Sequence, residues 1–171
     1  MKHRIKGVLV KAIWFIGFIA IVLPTLIFFA GQLGFLTGKV PQDLGVKDGR
    51  LKPPSNTPNS VSSQAKLYPD HPLRGYADIA PFTFSGDGQA ALKKLAGILR
   101  SMPKTVLVTE TADYLYAQST TPTLKFTDDV EFWLSPAENV IHVRSASRIG
   151  RKDFAANRTR VENIRAQFQQ N

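Results

Sequence analysis

Asp128, Asp129 and Glu131 form a DDxE cluster whose carboxylate oxygens suit either a divalent cation or general acid–base work. Strand geometry weakens the cation reading. Successive side chains of a strand point to opposite faces, so Asp129 and Glu131 converge while Asp128 shares the parity of Phe126, Val130 and Phe132. Asp128 is therefore expected to be a partly buried carboxylate in need of a cation, and Arg148, Arg158 and Arg160 are the partners on offer. Arg144, Arg148, Arg151, Arg158 and Arg160 concentrate guanidinium forks, which suit carboxylate or phosphate, within residues 140–171, where seven basic side chains meet two acidic ones. Two readings stay open. One is a structural polar network of Asp128, Glu131, Arg144, Arg148, Asn157 and Arg158. The other is an anion or polar-ligand site made of Asp129, Glu131, Arg144, Arg148, Arg158 and Arg160.

Other chemistry finds less support. His142 differs in strand parity from Ser145 and Ser147, so neither serine shares its face, and there is no GxSxG elbow. His142 is expected to stack beside Trp133 on the sheet surface. Tyr114, Tyr116 and Trp133 fit either a ligand groove on the outer sheet face or ordinary packing. The absence of cysteine excludes disulfides, zinc–thiolate sites, iron–sulfur clusters and thiol catalysis. There is no metal-ligand histidine spacing, phosphate-binding or dinucleotide-binding glycine motif, or internal repeat, so no cofactor, metal or catalytic residue is assigned.

Few elements are needed to hold these residues. Leu92, Leu95, Leu99 and Met102 recur at helical spacing over Asp87–Met102, with Ser85 or Asp87 as cap and Pro103 as stop. The period then changes to two across 105–110, 113–120, 123–134 and 139–147, which predicts an antiparallel meander. A loop of Pro136 to Asn139 sets Leu134 against Ile141 and Phe132 against Val143 on one face, and Trp133 against His142 and Glu131 against Arg144 on the other. A last helix, Asn157–Gln169, carries the stripe Val161, Ile164 and Phe168, with Asn157 as N-cap. Arg158 and Arg160 in its first turn oppose the macrodipole, so an acid is expected nearby, Asp128 or Asp129, or else an exogenous anion.

Ahead of this domain, residues 12–36 form an uncharged apolar run whose first 19 positions, Ala12–Ala30, span ~28 Å as a helix, enough to cross a bilayer. Phe28 at the −3 position before Ala30 and the continuation through Leu33, Phe35 and Leu36 favour a retained anchor over a cleaved signal. Pro24 lies mid-span and Trp14 near one interface. Lys2, Arg4, Lys6 and Lys11 make residues 1–11 a basic cytoplasmic tail, which favours N-in, C-out and a periplasmic domain at a bacterial inner membrane. Residues 37–75, rich in Pro and Ser, read as a linker and extended segment, and 76–171 as the soluble domain. The net charge of +9 does not imply nucleic acid, because four of the 22 basic groups precede the span and the remaining 18 face 13 acidic ones.

Three blocks within this domain, Asp128-Asp129-Val130-Glu131-Phe132, Arg144-Ser145-Ala146-Ser147-Arg148 and Asn157-Arg158-Thr159-Arg160, resemble the DDVEF, RSASR and NRxR blocks of the uncharacterised family called domain of unknown function 1499, over about residues 51–168. Upstream, Pro58-Asn59-Ser60-Val61-Ser62-Ser63 matches the family's Pro-Asn-Cys-Val-Ser-Ser, with Ser60 at the cysteine and Pro54 near a second one. A disulfide or lipid attachment implied by those cysteines is thus unavailable here. The resemblance implies a domain identity and no activity.

The expectation is an α+β domain with an antiparallel sheet of about four to five strands packed with two helices, behind one N-terminal transmembrane helix. Its function is read as a non-enzymatic binding or scaffold module of the envelope, with anionic lipid or another envelope protein as partner. The alternative is an envelope hydrolase or transferase acting on an anionic substrate, with Asp129 or Glu131 as base and Arg144 and Arg158 as clamp.

Overall fold

The computed structural model describes residues 2–170, with side chains from Val10 onward. The side chains of Lys2, Arg4 and Lys6 therefore lie outside the described part. Helix α1 runs Lys2–Gln32 through Pro24, and its segment Val10–Gln32, of mean hydropathy 2.5 and exposed over most of its length, is long and apolar enough to cross a membrane. The α+β domain follows. Strands β1 (Ser60–Ser62), β2 (Phe82–Thr83), β3 (Thr105–Glu110), β4 (Tyr114–Thr120), β5 (Thr127–Ser135) and β6 (Val140–Ser147) form one antiparallel sheet in the order β1-β6-β5-β4-β3, with β2 also pairing β6. Helices α2 (Arg74–Ala77), α3 (Gly88–Ser101) and α4 (Ala156–Gln170) complete it.

The expected register of β5 and β6 is present residue for residue: Leu134 faces Ile141, Phe132 faces Val143, Trp133 faces His142 and Glu131 faces Arg144. Alternation then divides the sheet. Leu115, Ala117, Val130, Phe132, Ile141 and Val143 turn to the inner face, where the stripes of α3 (Leu92, Leu95, Leu99) and α4 (Val161, Ile164, Phe168) cover them. Phe82 meets both Phe132 and Phe168 edge-on, at 5.5 and 5.6 Å between ring centres. Asp87 caps α3, accepting from the Gln89 and Ala90 amides.

Two short strands add to the meander, β1 and β2, too brief to show a period. β1 lies in the stretch read as a linker, and that stretch packs closely. Leu51 is 1% exposed, its amide donating to Gln64 Oε1, and the Gly45 amide donates to Glu131 Oε1 at 2.7 Å. The segment from Gly38 to Pro53 thus lies against the outer face of the sheet. It is held there by backbone amides and carbonyls, which no side-chain pattern announces.

Helix α1 also touches the domain. Gln32 Nε2 donates to the Thr123 carbonyl at 2.8 Å, and Gly31 lies so near Leu124 that a Cβ there would sit 2.5 Å from the Leu124 carbonyl oxygen. Only glycine permits this approach.

Phe132→Ala removes the ring at the centre of the inner core and is expected to lower stability by about 3–5 kcal/mol. Thermal or urea melting of the purified chain in detergent checks this. An effect below about 1 kcal/mol would mean that the core does not depend on this ring.

Candidate functional site

On the inner face, at the end of the sheet where β5 begins, Asp128 stands opposite Ser147 and pairs with Arg160 of α4 at 2.5 Å. Arg160 also donates to Asn157 Oδ1 at 2.8 Å and Ser145 Oγ at 3.2 Å. Asn157 is fully buried. Its Oδ1 accepts from Ser145 Oγ at 2.5 Å, and its Nδ2 reaches the Asn59 carbonyl, Ser147 Oγ and Asp153 Oδ2 at 3.1, 2.9 and 2.9 Å. The Asn157 amide joins the second and third family-like blocks to the segment before β1, and Arg160 extends the connection to Asp128 in the first.

Asn157 is therefore not the cap expected of it. The carboxylate of Asp153 caps α4, accepting from the Ala155 and Asn157 amides at 3.1 Å each, because Phe154 and Ala155 adopt left-handed φ of 50° and 64° and turn the chain back over the aspartate. This also resolves the adverse first turn. Asp153 supplies the acid, Arg160 is neutralised by Asp128, and Arg158 donates to the carbonyls of Tyr76 and Asp78 at 2.6 and 2.9 Å.

The outer face holds the other two carboxylates. Arg148 clamps Asp129 with Nε at 3.1 and 3.0 Å from its two oxygens and an Nη at 2.7 Å. Tyr116 donates to the same carboxylate at 2.6 Å and itself accepts from Gln118 and Arg148. Next to them Glu131 Oε1 accepts from Tyr114 at 2.8 Å and from Gly45, while Oε2 pairs with Arg144 at 3.5 Å and has no hydrogen bond among the described residues. Arg144 Nε donates to the Pro53 carbonyl.

Asp129 and Glu131 are 1% and 0% exposed and Arg144 3%. Burial, then the charge and hydrogen bond of Glu131, raise the Tyr114 pKa, and burial followed by the hydrogen bond to Asp129 raises that of Tyr116. Both tyrosines are thus neutral donors at physiological pH. Burial pulls the Arg144 pKa down, opposed by Glu131 and Asp129, whereas the hydrogen bond to Asp129 raises that of Arg148.

The six residues of the expected ligand site do not form one cluster. Asp129, Glu131, Arg144 and Arg148 lie in the outer layer, Arg158 and Arg160 beyond the inner face. Arg144 and Arg158 cannot clamp one anion across the sheet that separates them. Tyr114 and Tyr116 direct their hydroxyls at the carboxylates. An open concavity of about 380 Å³ beside this layer, with Asp43, Lys47, Arg50, Lys52 and Tyr68 on its wall, is lined by none of the three carboxylates.

His142 stacks on Trp133 at 5.5 Å and 20°, as expected, and its partner is a serine that sequence parity did not indicate. Ser63 Oγ lies 3.1 Å from Nδ1, and Glu138 Oε1 lies 3.0 Å from Nε2. This is a serine–histidine–carboxylate row, but Ser63 Oγ also accepts from the Val143 amide at 2.9 Å and meets Nδ1 where hydrolytic triads present Nε2. The row therefore fixes β1 to β6.

A family model described as "Protein of unknown function (DUF1499)" matches residues 50–168. No curated protein matches the chain.

Asp128→Ala leaves the largely covered Arg160 without its counter-charge and is expected to destabilise by about 2–4 kcal/mol, with Asp128→Leu/Arg160→Met recovering part of the loss in the same melts. Acid stability should depend on Asp153. Burial raises its pKa, but hydrogen bonds from Tyr76, Asn157 and Ala155 outweigh this and hold it below the ordinary value. A carboxylate lowered in the folded state contributes stability above its unfolded pKa of about 3.9 and loses that contribution as pH falls through the folded value. Melting temperatures between about pH 5 and pH 2 should therefore fall less steeply for Asp153→Asn than for the parent, and parallel curves would exclude this role.

Proposed function

The chain belongs to the DUF1499 family, and from that premise we propose that it is a single-pass, membrane-anchored envelope protein whose soluble domain is a non-enzymatic binding or scaffold module. The observation that carries the reading is the burial of all three DDxE carboxylates, each matched to its own arginine. A general base must reach substrate, and a group held in a bidentate clamp at 1% exposure is built to position strands. The envelope hydrolase or transferase reading would need Asp129 or Glu131 open to solvent.

Retention of the helix is supported by Phe28 at the −3 position before Ala30 and by the apolar run that continues through Leu33, Phe35 and Leu36. The basic residues ahead of the span support a cytoplasmic N-terminus and a periplasmic domain.

Two measurements test the proposal. Alkaline phosphatase fused after Asn171 should be active and a cytoplasmic fluorescent reporter at the same place dark; the reverse pattern would overturn the orientation. Inorganic phosphate, citrate and divalent cations at millimolar concentration should leave the parent's melting temperature unchanged within about 1 °C. A larger rise that Glu131→Gln abolishes while still folding would turn the outer layer into a ligand site.

A further inference from the structure

We infer that the domain rests on the membrane through one defined surface, the end of the sheet where β5 begins, and that this surface binds anionic lipid headgroups. The inference rests on the anchor proposed above. Among the described residues, helix α1 meets the domain at this end. Gly31 and Gln32 meet Leu124 and Thr123 in the β4–β5 loop, and a Cβ on Gly38 would lie 2.7 Å from Arg148 Cβ and 2.9 Å from Ile149 Cγ1. A span that leaves the bilayer at Gln32 therefore brings the β4–β5 loop and the β6–α4 connection to the headgroups.

The side chains there have the matching chemistry. Lys104 precedes β3, and its carbonyl accepts from Thr120 at the end of β4; Lys125 lies in the β4–β5 loop; Arg151 and Lys152 follow β6. None of these four makes an ion pair among the described residues, whereas Asp128, Asp129 and Asp153 at the same end are engaged inside the domain. At the opposite end Glu110 is paired with Arg100, Glu138 lies at His142 and Asp113 stands at the β3–β4 turn. The four cations without an ion pair thus stand at the end of the domain that the span brings to the bilayer.

Two apolar side chains complete the surface. Ile149 is 40% exposed and Phe154 92% exposed. A bulky residue at φ 50° is unusual, and the left-handed turn that lets Asp153 cap α4 is what projects Phe154 outward. An aromatic ring beside Arg151 and Lys152 suits the interfacial zone, where its faces leave water while the cations reach phosphate.

The absence of cysteine permits single-site labelling of the full chain. Ala156→Cys beside the surface, Glu138→Cys at the far end and Ile19→Cys within the span, each carrying an environment-sensitive fluorophore, would be placed in nanodiscs of phosphatidylcholine with or without phosphatidylglycerol. A headgroup nitroxide should quench the probe at 156 strongly and the probe at 138 little. Quenching at 156 should rise with phosphatidylglycerol. It should fall in about 1 M salt, where the screening length is about 3 Å, and in the Lys104→Gln/Lys125→Gln/Arg151→Gln/Lys152→Gln variant. Equal quenching at 156 and 138, or a response at 156 indifferent to lipid charge and to the four substitutions, overturns the inference. The probe at 19 separates the two proposals: quenching there by a deep acyl-chain nitroxide with none at 156 defeats the docking surface alone, and none at 19 defeats the anchor and the docking surface that rests on it.

Discussion

Strand β5 carries three carboxylates into the interior of the domain, and the rest of the architecture follows from the need to neutralise them. An ionised carboxylate out of water is tolerated only when paired and hydrogen-bonded. Alternation sends Asp128 inward and Asp129 and Glu131 outward, so no single cation serves all three. Arg160 must come from α4, Arg148 from the turn after β6 and Arg144 from β6 itself. These three pairs tie strand, neighbouring strand and covering helix together. A slip of one residue between β5 and β6 would put Asp129 and Glu131 against the apolar stripes of α3 and α4.

The same constraint explains the layer over the outer face. Pairing Glu131 with Arg144 alone leaves acceptors unsatisfied. Tyr114 and the Gly45 amide take the nearer oxygen, and the Pro53 carbonyl takes a donor from Arg144. The Pro- and Ser-rich chain thus closes the layer by lending its backbone. Glu131 Oε2, whose partner is Arg144 at 3.5 Å, is the least satisfied atom of the arrangement.

How much of this was legible in the sequence divides along the same line. Side-chain periodicity revealed the α+β class, α3, the four long strands, the β5–β6 register and the inward parity of Asp128, because each depends on alternating apolar residues. Backbone-mediated features left no such trace: β1 and β2 are two or three residues long, and the seat of residues 38–53 rests on amides and carbonyls common to all residues. Asp153 could have been recognised, standing three residues ahead of the first helical residue of α4, but Asn157 offered an equally good cap by type. The polar cluster was found by composition, yet composition is blind to which side of a sheet a group occupies. Composition therefore groups Arg158 and Arg160 with Glu131, from which the sheet separates them.

The position of the serine that replaces the family-like cysteine bears on how the chain is held. Ser60 is 1% exposed, opposite Ala146 at the start of β1, and its hydroxyl accepts from the Ser55 amide at 2.8 Å. The turn from Pro54 to Ser60 is thus closed by a hydrogen bond at the place where the family pattern has two cysteines. One such bond contributes about 0.5–1.5 kcal/mol, less than the 2–4 kcal/mol typical of a disulfide, so the turn must gain stiffness elsewhere. It gains it from both sides: Asn59 is fastened to Asn157 and Ser147 downstream, and residues 38–53 are fastened to β5 and β6 upstream. That upstream segment leads directly from the end of α1, which touches the loop feeding β5. The end of the apolar helix, the cover and the ion-paired strand are thus joined by direct contacts, the helix at the loop that feeds β5 and the cover at Glu131 and Arg144.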